Sequence, residues 1–533
     1  MVLVFAYILS HAQYVSHITY PDSTAQIITD TSIVAVKLAE KIQAEKIKSH
    51  LSILASDEYE GRETGQKGNR MAASYIANYF ESIGLPAIGD NNSRFQNVAF
   101  TTVKWDETAM YIEGIKHKHL WDYLAFPSKN NDIPFISSTE IVYAGYGIED
   151  ENYNDYKGLN VEDKIVMVFE GEPVDKDSIS WITGNRSLSS WTEDAERKVR
   201  LAKSKGAKLL IIIENDMKQM LMENRRFLVG SKVLLGNKMN IDEGLVNHIY
   251  VSPQTAAEIW GDNKKKVLKS RDKTKESGKS KSFSFGRNFA IRMDKSASVI
   301  EGENVLGYIE GTDKKDEVVV ISAHYDHLGK RGDEIYNGAD DNGSGTSTVL
   351  NIAQALQYAK ENGYGPRRSI LCLLVTGEEK GLLGSDYYSE NPVFPIASTV
   401  ANVNVDMIGR VDKHHENNPN YIYVIGSDRL STDLHFINEE ANKKFAQIEL
   451  NYTYNSETDP NKFYYRSDHY NFAKKGIPAI FFFSGVHKDY HRTSDTVDKI
   501  LFDKVEKIGR LIFHTTWELA NREERIVVDG IVR

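Results

Sequence analysis

Residues 318–345 read VVVISAHYDHLGKRGDEIYNGADDNGSG. The run Val318 to Ile321 is continuously apolar and β-branched, the pattern of a buried strand. At its carboxyl end the chain releases His324 and Asp326, then a short polar loop and Asp340-Asp341. Asn342-Gly343-Ser344-Gly345 follow as a tight turn, and a helix starts there with Val349, Ile352, Ala353 and Leu356 on one face. Open α/β sheets bind ligands beyond the carboxyl ends of their strands. A histidine with several carboxylates at that edge is how such a sheet holds a metal. The stretch reads as half of a metal site.

Working outward, strands are expected at 370–375, 400–405, 421–425 and 479–483, with helices around 430–445 and 498–520. The alternation predicts an α/β fold, a mixed and mostly parallel central sheet with helices on both faces. More strand ends carry polar groups: Glu378-Glu379 after Val375, Asp406 after Val405, and Asp489-Tyr490-His491 beyond Phe483. Singly these mean little, since Asp-Asp-Asn-Gly is usually a turn and Glu-Glu before Gly-Leu-Leu-Gly a helix start. As a set on one edge they are hard to explain structurally.

Nitrogen and oxygen ligands fit a zinc-like ion. The single cysteine, Cys372, lies within the apolar run 370–375 and reads as core, so neither thiolate ligation nor a disulfide framework is expected. Two histidines and three carboxylates exceed what one four-coordinate catalytic ion needs. Two ions sharing a carboxylate use the set fully; such pairs lie roughly 3.5–4 Å apart and clamp a water or hydroxide. Asp326, two residues from His324, is placed to orient that imidazole. Of Glu378 and Glu379, one completes the metal shell and the other moves a proton from water to a leaving amine. His414-His415 read as surface, and His327 and His469 as structural or supporting residues. No HExxH occurs, so a single helix-borne zinc has no support.

The rest of the chain is read around this site. At 533 residues, two or more domains are expected. A net charge of −10 argues against nucleic acid. MVLVFAYILSHAQ, residues 1–13, resembles a signal peptide without the basic start, so a secreted or periplasmic protein is expected. No other run reaches the ~18 apolar residues of a membrane span, so no membrane insertion is expected. Residues 14–131 form a helical lead-in, in which Ala72, Ala73, Ile76, Ala77 and Phe80 share a face and Glu60–Gly68 is a polar loop. Strand-like runs at 140–147, 164–169 and 208–213 mark a separate small β-rich module over 132–290, and 291–533 is the catalytic part. The lysine-rich stretch 264–281 reads as a solvated loop.

At these residues the chain resembles the co-catalytic di-zinc exopeptidase family, which includes bacterial leucine-type aminopeptidases and glutamate carboxypeptidases. The resemblance rests on HYDHLG, NGADDNGSGT, TGEEKGLLGS, NVDMIG, YRSDHYNF with KKGIPAIFFF, and DYHRTSDTVDKI, in the family's order and spacing from about 300 to 510. It implies the family's αβα sandwich, two Zn2+ ions and peptide substrates. His324 and Asp406 would hold one zinc, Glu379 and His491 the other, and Asp341 would bridge. Glu378 would be the general base, Asp326 the orienter of His324, and Tyr490 a donor to the tetrahedral oxyanion. Arg466 and Asp468 match positions near the substrate. The 132–290 module resembles a protease-associated (PA) domain inserted into the peptidase. The expected activity is a zinc metallo-aminopeptidase. The rivals are a carboxypeptidase or dipeptidase of the same family, a glutaminyl cyclase-like single-zinc enzyme, and a non-catalytic receptor or binding module on this fold.

Overall fold

The structure is a computed structural model and describes residues 33–229, 232–236 and 244–530; the signal-like segment 1–13 lies outside them. The chain divides into two compact units, one of residues up to Ala99 and from Glu301 onward, the other Phe100–Ile300. The chain passes between them inside two long strands, Phe95–Ile112 and Phe283–Ile309. The sequence reading placed the divisions at 132 and 290. A strand that continues through a boundary leaves no change of texture to mark it.

In the first unit the strand order is Glu449–Asn451, Tyr421–Ile425, Ala479–Phe483, Thr399–Val405, Lys314–His324, Arg368–Val375 and the end of Phe283–Ile309. Lys314–His324 is parallel to both neighbours, and Thr399–Val405 is parallel to Ala479–Phe483. Antiparallel pairs occur where Tyr421–Ile425 meets Ala479–Phe483 and where Arg368–Val375 meets residues 305–309. The sheet is therefore mixed and mostly parallel. Register levels the strand ends: His324 pairs with Val375, Ser322 with Asn404, and Val405 with Phe482. Polar residues that follow these positions emerge on one edge.

Side-chain alternation explains why the strands read as continuously apolar. Val319, Ile321 and Ala323 pack into one core with helices Ala44–Leu54, Gly345–Glu361 and Phe502–Asn521. Val318 and Val320 join Leu371, Leu373 and Val375 in another core with Tyr388 and Phe472, from helices Leu383–Glu390 and His469–Ala473. Each fully buried aliphatic side chain contributes about 1.5–3 kcal/mol, so covering both faces is what stabilises this sheet. Helix Lys67–Ser82 buries Ala72, Ala73, Ile76, Ala77 and Phe80, the face its spacing predicts. Cys372 is a buried free thiol.

The second unit has a parallel core, Ile133–Tyr143, Ile165–Phe169, Leu209–Ile213 and His248–Val251 in that order. Phe283–Ile309 runs antiparallel to Ile133–Tyr143, and helices Glu196–Ser204, Pro253–Trp260 and Lys264–Ser277 belong to the same unit. The last helix corrects the reading of 264–281 as a solvated loop. Val267, Ser270 and Thr274 recur at helical spacing and are buried, while the lysines occupy the other positions, where they favour helix. Gly278 ends the helix in the left-handed region, φ +65°, where a Cβ would lie 2.5 Å from the Trp181 ring.

Candidate metal centre

Five loops bring the chemistry together at the levelled edge. His324 is the last residue of strand Lys314–His324, Glu378-Glu379 lie just beyond Arg368–Val375, and Asp406 directly follows Thr399–Val405. Asp341 lies in the irregular turn Ala339–Ser344 that opens helix Gly345–Glu361. His491 follows Ala479–Phe483 in a turn of its own, at φ +57°.

His324 Nε2 lies 3.3 Å from Asp406 Oδ1, 3.5 Å from Asp341 Oδ1 and 3.9 Å from Glu378 Oε2. His491 Nε2 lies 3.2 Å from Asp341 Oδ2 and 3.3 Å from Glu379 Oε2. Asp341 thus turns one carboxylate oxygen toward each histidine. His327 is also present, buried, with Nδ1 2.8 Å from Glu379 Oε1 and 3.7 Å from Asp341 Oδ2. Among the described residues, the ligand atoms fall into two groups able to hold a cation: His324, Glu378 and Asp406, and His327, Asp341 and Glu379. The structure therefore brings together all five residues expected as ligands, and Glu378 with them. His327 is closer to the centre than its supporting role in sequence suggested; its place three residues after His324 was the available signal.

The electrostatics follow from this crowding. Burial lowers the His324 imidazole, but Asp406 and Glu378 outweigh it and hold it well above the usual range. Burial raises Glu378, and Glu379 and Asp406 beside it add to the rise. Glu379 is held well below its usual range, because His327 and His491 override its burial. His491 resists its own burial through Asp341 and Glu379, and is pushed up to about 10. Asp341, Glu378, Glu379 and Asp406 outnumber the histidines facing them, so this is a site that demands further positive charge. An all-nitrogen and oxygen set with excess carboxylate suits zinc.

The supporting groups are placed by secondary contacts. The Asp326 carboxylate accepts from Thr64 Oγ1 (2.9 Å) and from the N–H groups of Glu378 (3.2 Å) and Glu379 (3.3 Å). It lies 3.8 Å from His324 Nδ1, whose shorter contact is the Asp326 carbonyl at 3.1 Å. Asp326 therefore aims the Glu378-Glu379 turn as well as the imidazole. Ser467 Oγ donates to Asp406 Oδ2 at 2.8 Å and accepts from Asn404 Nδ2 at 2.8 Å. Asp340, the neighbour of Asp341, faces away: Oδ1 accepts from Gly409 N at 2.6 Å, and Oδ2 lies 3.3 Å from His487 Nε2. The Asp495 carboxylate accepts from the N–H groups of both Asp340 and Asp341.

Tyr490 stacks on the His491 ring at 3.8 Å; burial, then Asp341 and Glu379, raise its phenol and keep it a donor. Asp468 accepts from Ser385 Oγ at 2.6 Å, and burial raises it to about 7. Met407, Phe463, Phe481, Phe483 and Val486 form an apolar wall around His324, Asp341, Glu378, Asp406 and His491. Phe463, Arg466, Val486 and Tyr490 also line an adjoining cavity of about 1590 Å³, with Arg410, Lys413 and Lys488 among its walls. His415, read as surface, is instead buried, stacked on Tyr421 at 3.5 Å with Nδ1 2.8 Å from Asp412 Oδ1. The fold returns Tyr421 and Asp412 to it, which the polar neighbours in sequence concealed.

Residues 304–516 match the model described as Peptidase family M28. Aminopeptidase YwaD of Bacillus subtilis (strain 168) is 26% identical over 232 residues, covering 42% of this chain and 46% of that protein. A probable leucine aminopeptidase of Trichophyton verrucosum (strain HKI 0517) is 30% identical over 215 residues, 39% of this chain and 55% of that protein. The chain thus spans about half the length of these curated relatives. Among solved structures, an aminopeptidase from Aneurinibacillus sp. strain AM-1 aligns over 93% of this chain and 98% of its own, at 19% identity and a TM-score of 0.55, a likeness of fold. Residues 304–516, which contain every expected metal ligand, are the part of the chain that matches peptidase family M28.

Proposed function

We propose that the protein is a zinc-dependent exopeptidase, an aminopeptidase that releases N-terminal residues from peptides. The observation that carries this reading is Asp341, with Oδ1 3.5 Å from His324 and Oδ2 3.2 Å from His491. A carboxylate so placed suits two ions, one held by His324 and Asp406, the other by Glu379 and His491, with His327 beside the second. Zinc supplies Lewis acidity there, which activates water and polarises a carbonyl. Glu378 takes the proton from the attacking water and passes it to the leaving amine. Its raised affinity for a proton suits that exchange. Tyr490 donates to the oxyanion that develops on the scissile carbonyl. A free substrate amine is held by the carboxylates, and the wall of Met407, Phe463, Phe481 and Phe483 favours an apolar first side chain.

The module at 132–290, which falls within the Phe100–Ile300 unit, is read as the PA-like insertion, and residues 1–13 as an export signal to a secreted or periplasmic location. Among the described residues both candidate ligand groups lie in the first unit, which supports placing the chemistry there. Among them also, no helix is long and apolar enough to cross a membrane.

The test is a panel of free-amine, N-blocked and C-blocked dipeptides, run with and without chelator, beside Glu378→Gln. Cleavage should require the free amine, disappear on chelation, and fall about 10²–10⁴-fold in the variant with zinc retained. A requirement for the free carboxylate instead would move the protein to the carboxypeptidase reading, with Arg466 in the cavity wall as its partner. Zinc bound with no cleavage of any peptide would leave a binding module.

A further inference from the structure

We propose that Arg62 is a positioning residue of the metal centre: its buried guanidinium ties the loop carrying His324 and Asp326 to the loop carrying Asp341, and zinc affinity depends on that tie. The inference rests on the zinc reading above. Arg62 lies in the polar segment Glu60–Gly68, far in sequence from every ligand, and is fully buried. Glu60, Gly61 and Arg62 are consecutive left-handed residues, at φ 47°, 65° and 53°. The turn they make presses on main chain: a Cβ on Gly61 would lie 2.3 Å from Tyr336 O and 2.6 Å from Gly329 O. Only glycine fits there, and it delivers the next side chain inward.

The guanidinium then makes four hydrogen bonds, all to carbonyls. Nε donates to Tyr325 O (2.7 Å), Nη1 to Leu54 O (2.6 Å) and Asn337 O (2.7 Å), and Nη2 to Gly338 O (2.9 Å). Tyr325 stands between His324 and Asp326. Asn337 and Gly338 lead directly into the Ala339–Ser344 turn that holds Asp341. The contact is returned, since His327 N donates to Arg62 O at 3.3 Å and Thr64 Oγ1 to Asp326 at 2.9 Å. One residue therefore holds the main chain within one ligand loop and at the start of the other. Among the described residues no carboxylate bonds the guanidinium directly, and its charge acts toward Asp326, Asp341, Asp495 and Glu379 nearby. A planar fork with five N–H groups can hold carbonyls that diverge in this way, and an ammonium cannot. Arg368 makes the contrast: equally buried, it bonds Glu317 and the carbonyls of Leu519, Arg522 and Glu523, none of them in a ligand loop.

Apo protein of wild type, Arg62→Lys and Arg368→Lys is titrated with zinc against a chelating indicator. Arg62→Lys should bind zinc about 10–100-fold more weakly, the range for losing a group that orients metal ligands. Arg368→Lys should stay near wild type although it loses a comparable set of buried bonds. Wild-type zinc affinity in Arg62→Lys, or an equal loss in both variants, would overturn the proposal. Should Arg62→Lys not fold, Asn69→Ala carries the test, because Asn69 Nδ2 donates to Arg62 O at 3.2 Å. It should weaken zinc several-fold with an unchanged circular-dichroism spectrum, and unchanged affinity would overturn the idea. A wild type that binds no zinc refutes the metal reading itself and this proposal with it, whereas tight wild-type binding with indifferent variants refutes Arg62 alone.

Discussion

Replacing Ser467 by alanine separates orientation of a metal ligand from stability of the sheet. Ser467 Oγ makes two short bonds: it donates to Asp406 Oδ2 and accepts from Asn404 Nδ2, each at 2.8 Å. A hydrogen bond to an ionised carboxylate contributes about 1.5–3 kcal/mol. Its loss frees Asp406 to rotate, so Oδ1 is no longer aimed at the His324 side. If that whole amount is felt at the metal, zinc binds roughly 10–150-fold more weakly, at 1.4 kcal/mol per tenfold. The orphaned Asn404 N–H costs a further ~1–3 kcal/mol, and that part falls on folding. Ser322→Ala is the matched control. Ser322 Oγ donates to Asn404 Oδ1 at 2.8 Å, one step further from Asp406 in the same buried chain. It should lower thermal stability comparably and leave zinc affinity within about twofold. Competition titrations of the two apo variants, with thermal melts beside them, read both effects. Equal zinc affinity in both variants would refute the orienting role of Ser467.

Two further outcomes follow from other parts of the molecule. Tyr490→Phe keeps the ring stacked on His491 but removes the donor; kcat should fall about 10²–10³-fold with zinc content unchanged, and an unaltered kcat would remove Tyr490 from the chemistry. In the second unit, burial raises Asp155 to about 6 from 3.8, although Tyr153, Ser280 and the N–H groups of Tyr146 and Ile148 bond it. The folded state therefore holds this proton more tightly than the unfolded chain. Stability should decline as pH rises from about 4 to about 6, by about 3 kcal/mol at most. Asp155→Asn should be flatter over that window in urea titrations, whatever its absolute stability. Trp105, Trp121, Trp181, Trp191 and Trp260 make tryptophan fluorescence a reporter of this unit.

Much of the site was legible because a parallel sheet converts sequence order into position. Apolar runs name the strands, parallel register levels their ends, and the polar residues that follow must share an edge. Reading His324, Glu378-Glu379 and Asp406 off strand ends needed no more than that. The limits of such reading have physical causes. Asp340 and Asp341 are equivalent as letters; the resemblance singled out Asp341, and the turn is what physically sends Asp341 toward the histidines while Asp340 accepts from Gly409 N. His327 and His415 were assigned by their immediate neighbours in sequence, whereas His327 meets Glu379 from another strand end and His415 is covered by Tyr421, which opens the next strand. The lysine-rich helix Lys264–Ser277 presents too narrow a buried stripe for composition to reveal.

The sequence by itself determined the fold class and the candidate ligands, because hydrophobic periodicity and strand-end chemistry are local properties of the chain. Tertiary structure alone decided which atoms face which: the two oxygens of Asp341, the aim of Asp406 through Ser467, and the place of Arg62 among four carbonyls. Those depend on angles and separations between segments up to 276 residues apart, as for Arg62 and Gly338. No local pattern encodes them; they exist only once the sheet has closed and water has been excluded from its edge.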